Sequence, residues 1–527
     1  MLLVVGCMRP HADAVLRATP AAAPVSIPSV TPPAESPPPP ALPPLPVAQL
    51  PTTFSKTDGP LWKSVNASTV TVYGERIVMV NPAGEVFAVD PSDGVEAGWG
   101  TLPQHAAHLS KQSMQTLGGF EAVGGLIAQH QPSATVFYDP RTLKPRFQLD
   151  VPAEGYHHDL LACEAGLLVL DKPGLQFTVG PRLSLIDPHD GRTIWTASVS
   201  NRTELVVARD LVVLHDGERL VAWRLSDGTE KWALSTPGGR LHVSGPLLAI
   251  QRGGEVEFVD LGTGTPRAKK IRIDLPIVDV TIQGSRRRTG SPVASAVVGD
   301  DAVYVSSQDL TSMDGRGVLK AFDFGGQLLW EAQLPTSYPA SMANLLLAGG
   351  RVFVAGQTPN RGAVLSGFDV ATGKKDFEWW MEWPVLFSVL RGGEGELVVA
   401  RSFACGTLAF DPSQSIELHP VRASGKIVHA AGSLSWGELS RAWVCLGQKC
   451  TPARPSGAYA IELETRGQVP LYLAPGEFLS GRTLPPPPSP DMSPCAEDVV
   501  HRLDFEAQTH FVRDLPLRVK YCPNFEY

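Results

Sequence analysis

The stretch LSLIDPHDGRTIWTASV, Leu183 to Val199, places Asp187, Gly191 and Trp195 four residues apart twice over. Its first apolar residues alternate as they do in a strand with one buried face, because successive side chains of a strand point to opposite sides. Asp-Pro then opens a turn, in which the carboxylate bonds neighbouring backbone N–H groups and proline presets φ at the next position. Gly191 supplies the positive φ that turns the chain into a second strand. Trp195, on that second strand, offers a large flat ring for the space between neighbouring sheets.

The pattern recurs along the chain. VFAVDPSDGVEAGW ends at Trp99, LVAWRLSDGTEKW at Trp232 and LKAFDFGGQLLW at Trp330, and fainter copies surround Asp139, Asp260, Asp369, Asp411 and Glu462. The positions equivalent to Asp187 are Asp90, Asp139, Arg224, Asp260, Asp323, Asp369, Asp411 and Glu462; the nine marks are separated by 49, 48, 37, 36, 63, 46, 42 and 51 residues. Gly94, Gly228, Gly326 and Gly373 stand at or near the place of Gly191. Each mark follows another strand, turn and strand, as in GERIVMVNPAGEVFAVD and DLVVLHDGERLVAWR. A fourth strand fits within a period of about 45 residues at five or six residues per strand. Repetition of this length without helical periodicity predicts an all-β chain of four-stranded antiparallel blades closed into a β-propeller. Eight blades are expected, within a range of seven to nine, one of the nine marks being an extra hairpin or half of a split closing blade.

The spacing apolar-x-apolar-Asp-x-x-x-Gly-x-x-x-Trp resembles the repeat of pyrroloquinoline-quinone-like (PQQ-like) β-propellers. That group includes quinoprotein alcohol dehydrogenases and the lipoprotein of the outer-membrane β-barrel assembly machinery. The resemblance runs from about Val65 to Pro475 and implies a fold far more specifically than an activity. The enzymatic members hold their quinone at the propeller axis with an ion, a catalytic Asp and often a ring closed by adjacent cysteines. This chain has no two adjacent cysteines and no Cys-x-x-Cys-His for a c-type haem. Its repeat aspartates fall in turns, where they serve the backbone.

The chain begins MLLVVGCMRP, in which Val4-Val5-Gly6-Cys7 resembles a bacterial lipobox with Cys7 as the lipidated residue. Residues 1–6 are too few for a whole signal peptide, and the expectation is a truncated remnant of one. Between Pro20 and Pro51, 13 of 32 residues are proline and only Glu35 is charged. Such a segment cannot bury enough apolar surface to fold, so residues 7–53 are expected to be a disordered Pro-rich linker, extended as a stalk. The propeller is expected over 54–475, followed over 476–527 by a Pro-rich tail with a disulfide loop. Six further cysteines suit an oxidising compartment. Cys445 and Cys450 flank a hairpin tip and Cys495 and Cys522 bracket the tail, which makes these four the disulfide candidates, with Cys163 and Cys405 read as buried thiols.

A formal charge of −8, Lys+Arg 45 against Asp+Glu 53, argues against nucleic acid as a partner. His105 with His108, and His157 with His158, lack further ligands at metal-site spacing and read as solvated or structural. Gly253-Gly254 and Gly392-Gly393 read as hairpin turns rather than phosphate loops. Arg286-Arg287-Arg288 lies in the longest interval and reads as an exposed loop. DFEWWMEWPVLF, Asp376 to Phe387, places Phe377 and Trp379 on one strand face and Trp380 on the other. Blade packing accounts for the first face, and Trp380 is the candidate for a partner surface. Together these readings describe a monomeric, non-enzymatic lipoprotein without cofactor or metal. Its inter-blade loops would bind envelope proteins, and its lipid would anchor it at a bacterial outer membrane facing the periplasm or the cell surface. A quinone- or metal-dependent oxidoreductase and a carbohydrate-binding envelope sensor are the alternatives.

Overall fold

Arg182–Ile186 is the third strand of a four-stranded antiparallel sheet whose order is His157–Cys163, Gly166–Lys172, Arg182–Ile186, Thr193–Ser198. The computed structural model describes residues 44–523, apart from 56–58, 65–68, 104–118, 152–156, 173–180, 201–203, 273–276, 291–294, 309–316, 335–343, 359–361, 382–384, 403–405, 430–442, 475–491, 497–499, 505–509 and a few gaps of one or two residues. Seven more sheets repeat the same order. Six take their strands consecutively from 69–101, 120–150, 204–235, 240–272, 295–334 and 344–381. The eighth joins Val385–Gly392, Gly395–Ser402 and Gly406–Phe410 to the early strand Trp62–Ser64, so the two ends of the ring share one blade. The first strands of neighbouring blades lie side by side, including those of blades 8 and 1, and they surround a central axis. Eight of the nine marks are therefore blades of a β-propeller.

What holds blade to blade is legible in the repeat itself. Trp195 of blade 3 lies over Gly228 of blade 4, where a Cβ would stand 2.8 Å from the indole, and its Nε1 donates to the Leu225 carbonyl at 2.7 Å. Trp232 repeats the arrangement on Gly264 and Leu261, and Trp330 on Gly373 and Val370. The glycine is thus required twice, for its positive φ and for the absence of a side chain beneath the ring. The same contact closes the ring: Trp62 lies on Gly94 and donates to the Pro91 carbonyl at 3.0 Å. Gly191 receives Phe147 instead of an indole.

Two expected docking residues depart from the scheme. Leu143 occupies the glycine position of blade 2 with φ +58°, and Trp99 packs edge-on against Tyr73 at 5.8 Å. Gly326 has the turn conformation, but blade 5 brings no indole to it.

The ninth mark, Glu462, is not a blade. Strands from His419 onward form separate sheets: His419–His429 pairs with Ala458–Thr465 on one side and in parallel with His510–Val512 and Leu515–Leu517 on the other. Trp443–Leu446 lies between Lys449–Pro452 and Gln468–Ala474, and the latter pairs with Val500–Asp504. The blades end at Phe410, and the expected boundary at 475 moves back to about residue 418, because strands on both sides of 475 share one core of Val421, Ile461, Leu471, Leu503 and Leu515. The expected tail is therefore part of a C-terminal β-module.

This module also accounts for Trp380, which is 3% exposed and is not a partner surface. Its backbone N–H donates to the Arg466 carbonyl, and Gly447 packs against its ring. Beside it the buried Glu378 accepts from Trp380 Nε1, Thr465 Oγ1 and Lys375 Nζ. The module thus covers the outer edge of blade 7, as an exposed edge strand would otherwise invite foreign pairing.

The linker is shorter than its composition implies. Leu45 packs against the seam of blades 2 and 3, Gln49 N–H donates to the Gly74 carbonyl and Leu50 N–H to the Gly392 carbonyl. Gly74 and Gly392 lie at turns between the first and second strands of blades 1 and 8, so residues 45–50 form a strap across the inner end of the disc. Cys7, Cys405 and the first 43 residues lie outside the described residues. Cys445 is disulfide-bonded and faces Cys450 in register, Cys163 is a free thiol, and Cys495 and Cys522 sit on paired strands opposite Lys520 and Ser493.

Candidate functional site

Antiparallel blades send their connections to two faces. On one, the turn face, lie the short turns between first and second strands and the repeat turns between third and fourth. There the repeat carboxylates are consumed by the backbone: Asp187 Oδ1 accepts from His189 N–H at 2.9 Å, Asp90 from Ser92 at 2.9 Å and Asp323 from Gly325 at 2.8 Å. Asp369 also accepts from Thr372 N–H and Oγ1, and the hydroxyl contact leads the interactions that hold its carboxyl below the usual range. The first service of these groups is to build the turns.

The other face, the loop face, carries the connections between second and third strands and those between blades. Residues 102–119, 173–181, 273–294, 309–316 and 335–343 all connect on this side. The interval of 63 residues before Asp323 is explained here by an inserted hairpin, Ile277–Ile282 with Ser285–Gly290, between blades 5 and 6. Function usually resides in such variable loops on a rigid frame.

Polar networks tie the strand ends together on the loop face. Thr135 Oγ1 lies 3.2 Å from His130 Nδ1 and 2.9 Å from His158 Nδ1. His130 continues to Glu121 at 3.1 Å, His158 to Asp171 at 3.3 Å and Asp171 to Arg182 at 3.3 Å. In blade 5, Arg252 donates to Glu257, Thr236 and the Pro237 carbonyl, and Lys270 pairs with Glu257. Burial alone would raise the Glu257 carboxyl, and these two cations hold it below its usual range. His158 was legible only as a loop histidine, and its partners come from two blades at separations no local motif records. Among the described residues no group of three or more His, Cys, Asp or Glu side chains is placed to hold a metal ion.

One partly buried histidine, His242, has a measurable consequence. Burial pushes the His242 imidazole below its ordinary range, a hydrogen bond to Gln251 opposes this and Arg240 adds to it. The unfolded chain takes up this proton near pH ~6.5 whereas the folded chain resists it, so the contribution is present above that pH and is lost as pH falls toward the depressed value. The urea midpoint is expected to fall more between about pH 7.5 and 5.5 in the wild type than in His242→Asn. Equal pH profiles for the two proteins would rule this out.

The repeat geometry finds its counterpart among known families. Residues 109–308 match the family model described as outer membrane protein assembly factor BamB. The match covers less than half of the chain, within a fold that is a β-propeller of eight four-stranded blades. No curated protein matches it. Solved structures similar to this propeller include BamB from Moraxella catarrhalis, at 15% identity and TM-score 0.41, covering 66% of this chain and 98% of that one. A quinohemoprotein alcohol dehydrogenase from Pseudomonas putida HK5 is 14% identical with TM-score 0.45, covering 69% and 72%. The computationally designed Ika8 protein is 11% identical with TM-score 0.43, covering 69% and 99%.

Proposed function

We propose that this propeller is a non-catalytic scaffold of the bacterial envelope, tethered through lipid on Cys7 and holding another envelope protein on its loop face. The observation that carries this reading is the match of residues 109–308 to a family described as an outer-membrane assembly factor. Two features of the chain support it. The repeat carboxylates are spent on turns, and the long connections gather on the face opposite those turns. The Cys445 disulfide is in keeping with an oxidising compartment, and the backbone pairing of Cys445 with Cys450 supports Cys450 as its partner.

The test uses the full chain in cells, with a photo-crosslinking residue at Arg182 on the loop face or at Arg192 on the turn face. A discrete adduct from position 182 and none from 192, together with palmitate labelling lost in Cys7→Ser, is the expected result. Adducts from neither position, or dye-linked dehydrogenase activity after addition of pyrroloquinoline quinone and Ca²⁺ to the purified protein, would overturn the reading in favour of an oxidoreductase.

A further inference from the structure

On the loop face, blades 2 and 3 meet through a chain of five polar side chains, Glu121, His130, Thr135, His158 and Asp171. His130 stands directly across a strand pair from Thr135, and His158 directly across from Asp171, so each of those contacts lies within one blade. The Thr135 hydroxyl crosses the seam, 3.2 Å from His130 Nδ1 and 2.9 Å from His158 Nδ1. The far nitrogens face carboxylates: His130 Nε2 lies 3.1 Å from Glu121, and His158 Nε2 lies 3.3 Å from Asp171. Thr135 is 1% exposed and His158 4%, so the centre of the chain is shielded from water.

Protons can be counted along this chain. Each of its four contacts needs one hydrogen between the two heavy atoms. Ionised carboxylates bring none, the hydroxyl brings one and each neutral imidazole brings one, which leaves one contact without a hydrogen. With both rings neutral and their hydrogens turned to the carboxylates, the Thr135 hydroxyl donates to one Nδ1 only. The other Nδ1 is then set lone pair to lone pair against the same oxygen, a costly arrangement where water is excluded. One further proton removes the conflict, because the ring that receives it donates from both nitrogens. Among the described residues, the charged groups that neighbouring strands bring to the two rings are Glu121, Asp171 and Arg182. The two carboxylates favour an imidazolium, and Arg182, 3.3 Å from Asp171, opposes it. Asp159 follows His158 in the strand and by alternation turns to the other face.

We infer that these five groups form an acid-strengthened latch between blades 2 and 3, closed by a single shared proton. That proton belongs to the chain of groups rather than to one ring. When it leaves, a buried contact turns repulsive and the loop-face ends of the two blades lose their tie. An unfolded imidazole takes up its proton near pH ~6.5, and the latch holds one above that pH. Its contribution to stability is therefore full below pH ~6.5 and is lost as pH rises through the folded value. This is the reverse of His242, whose contribution is lost on acidification. The latch is independent of whether a partner occupies the loop face.

The test is proton release when the full chain unfolds in weakly buffered urea at about pH 7.5, read with an indicator dye. Thr135→Val keeps the shape of the side chain and removes the hydroxyl. The wild type should release about one proton more than Thr135→Val, and Thr135→Ser should behave like the wild type. The urea midpoint of the wild type should also fall relative to that of Thr135→Val as pH is raised from about 6.5 to 8. His242 is present in all three proteins and cancels. Should Thr135→Val fail to fold, spectra of the wild type labelled with ¹⁵N-histidine decide. One ring of the pair, assigned through His130→Asn and His158→Asn, should be protonated on both nitrogens at about pH 7.5. Equal proton release by wild type and Thr135→Val, or two neutral rings at that pH, would overturn the latch.

Discussion

Trp232→Ala is expected to destabilise the propeller by about 3–5 kcal/mol, the usual cost of truncating a buried aromatic residue. The ring is 9% exposed, covers Gly264 and donates its N–H to the Leu261 carbonyl at 2.8 Å. Removal opens the seam between blades 4 and 5 and leaves that carbonyl without its donor. Trp232→Phe isolates the second effect and should cost about 1–3 kcal/mol through the unpaired buried group. Gly264→Ala attacks the same contact from beneath. Its Cβ would stand 2.6 Å from the indole at φ +71°, so backbone strain of about 1–2 kcal/mol adds to overpacking. Urea unfolding followed by tryptophan fluorescence reads all three. A loss below ~1 kcal/mol for Trp232→Ala would mean that the indoles do not hold the blades together.

The second large effect concerns closure. A chain lacking residues 1–64 keeps all the strands of blades 1 to 7 but leaves blade 8 with three, and it loses Trp62 from Gly94 together with the strap. Ring closure then rests on the inner strands alone. The expected result is loss of a single cooperative transition and gain of binding to an apolar dye, because the last blade exposes its edge and its docking surface. A chain lacking only residues 1–43 should unfold like the full protein. Trp62→Ala should reproduce part of the defect, with a loss of about 3–5 kcal/mol. Unchanged unfolding of the chain lacking 1–64 would show that the latch is dispensable.

Much of the architecture could be read from residues close together in the chain. Asp187, Gly191 and Trp195 announce a strand end, a turn and the next strand within nine residues, and eight such marks became eight blades. What the tryptophan touches could not be read, because Trp195 meets Leu225 and Gly228 of the following blade. Trp62 was missed for the same reason: its strand completes a blade whose other strands come after residue 384. Glu462 misled because alternation and a turn are common to every hairpin, and the mark lacks both a docking indole and the Asp-Pro turn. Trp380 looked unpartnered because its cover, Arg466 and Gly467, lies more than eighty residues away. The loop-face networks obey the same rule. Thr135 brings together His130 and His158 from two blades, and spacing carries no trace of that meeting.

The strap through Leu45, Gln49 and Leu50 has a mechanical corollary. Because it is fastened near the hub and touches blades 8, 1, 2 and 3, those four wedges of the disc are belted together by one short run of backbone, and loosening any one of them must also loosen the belt.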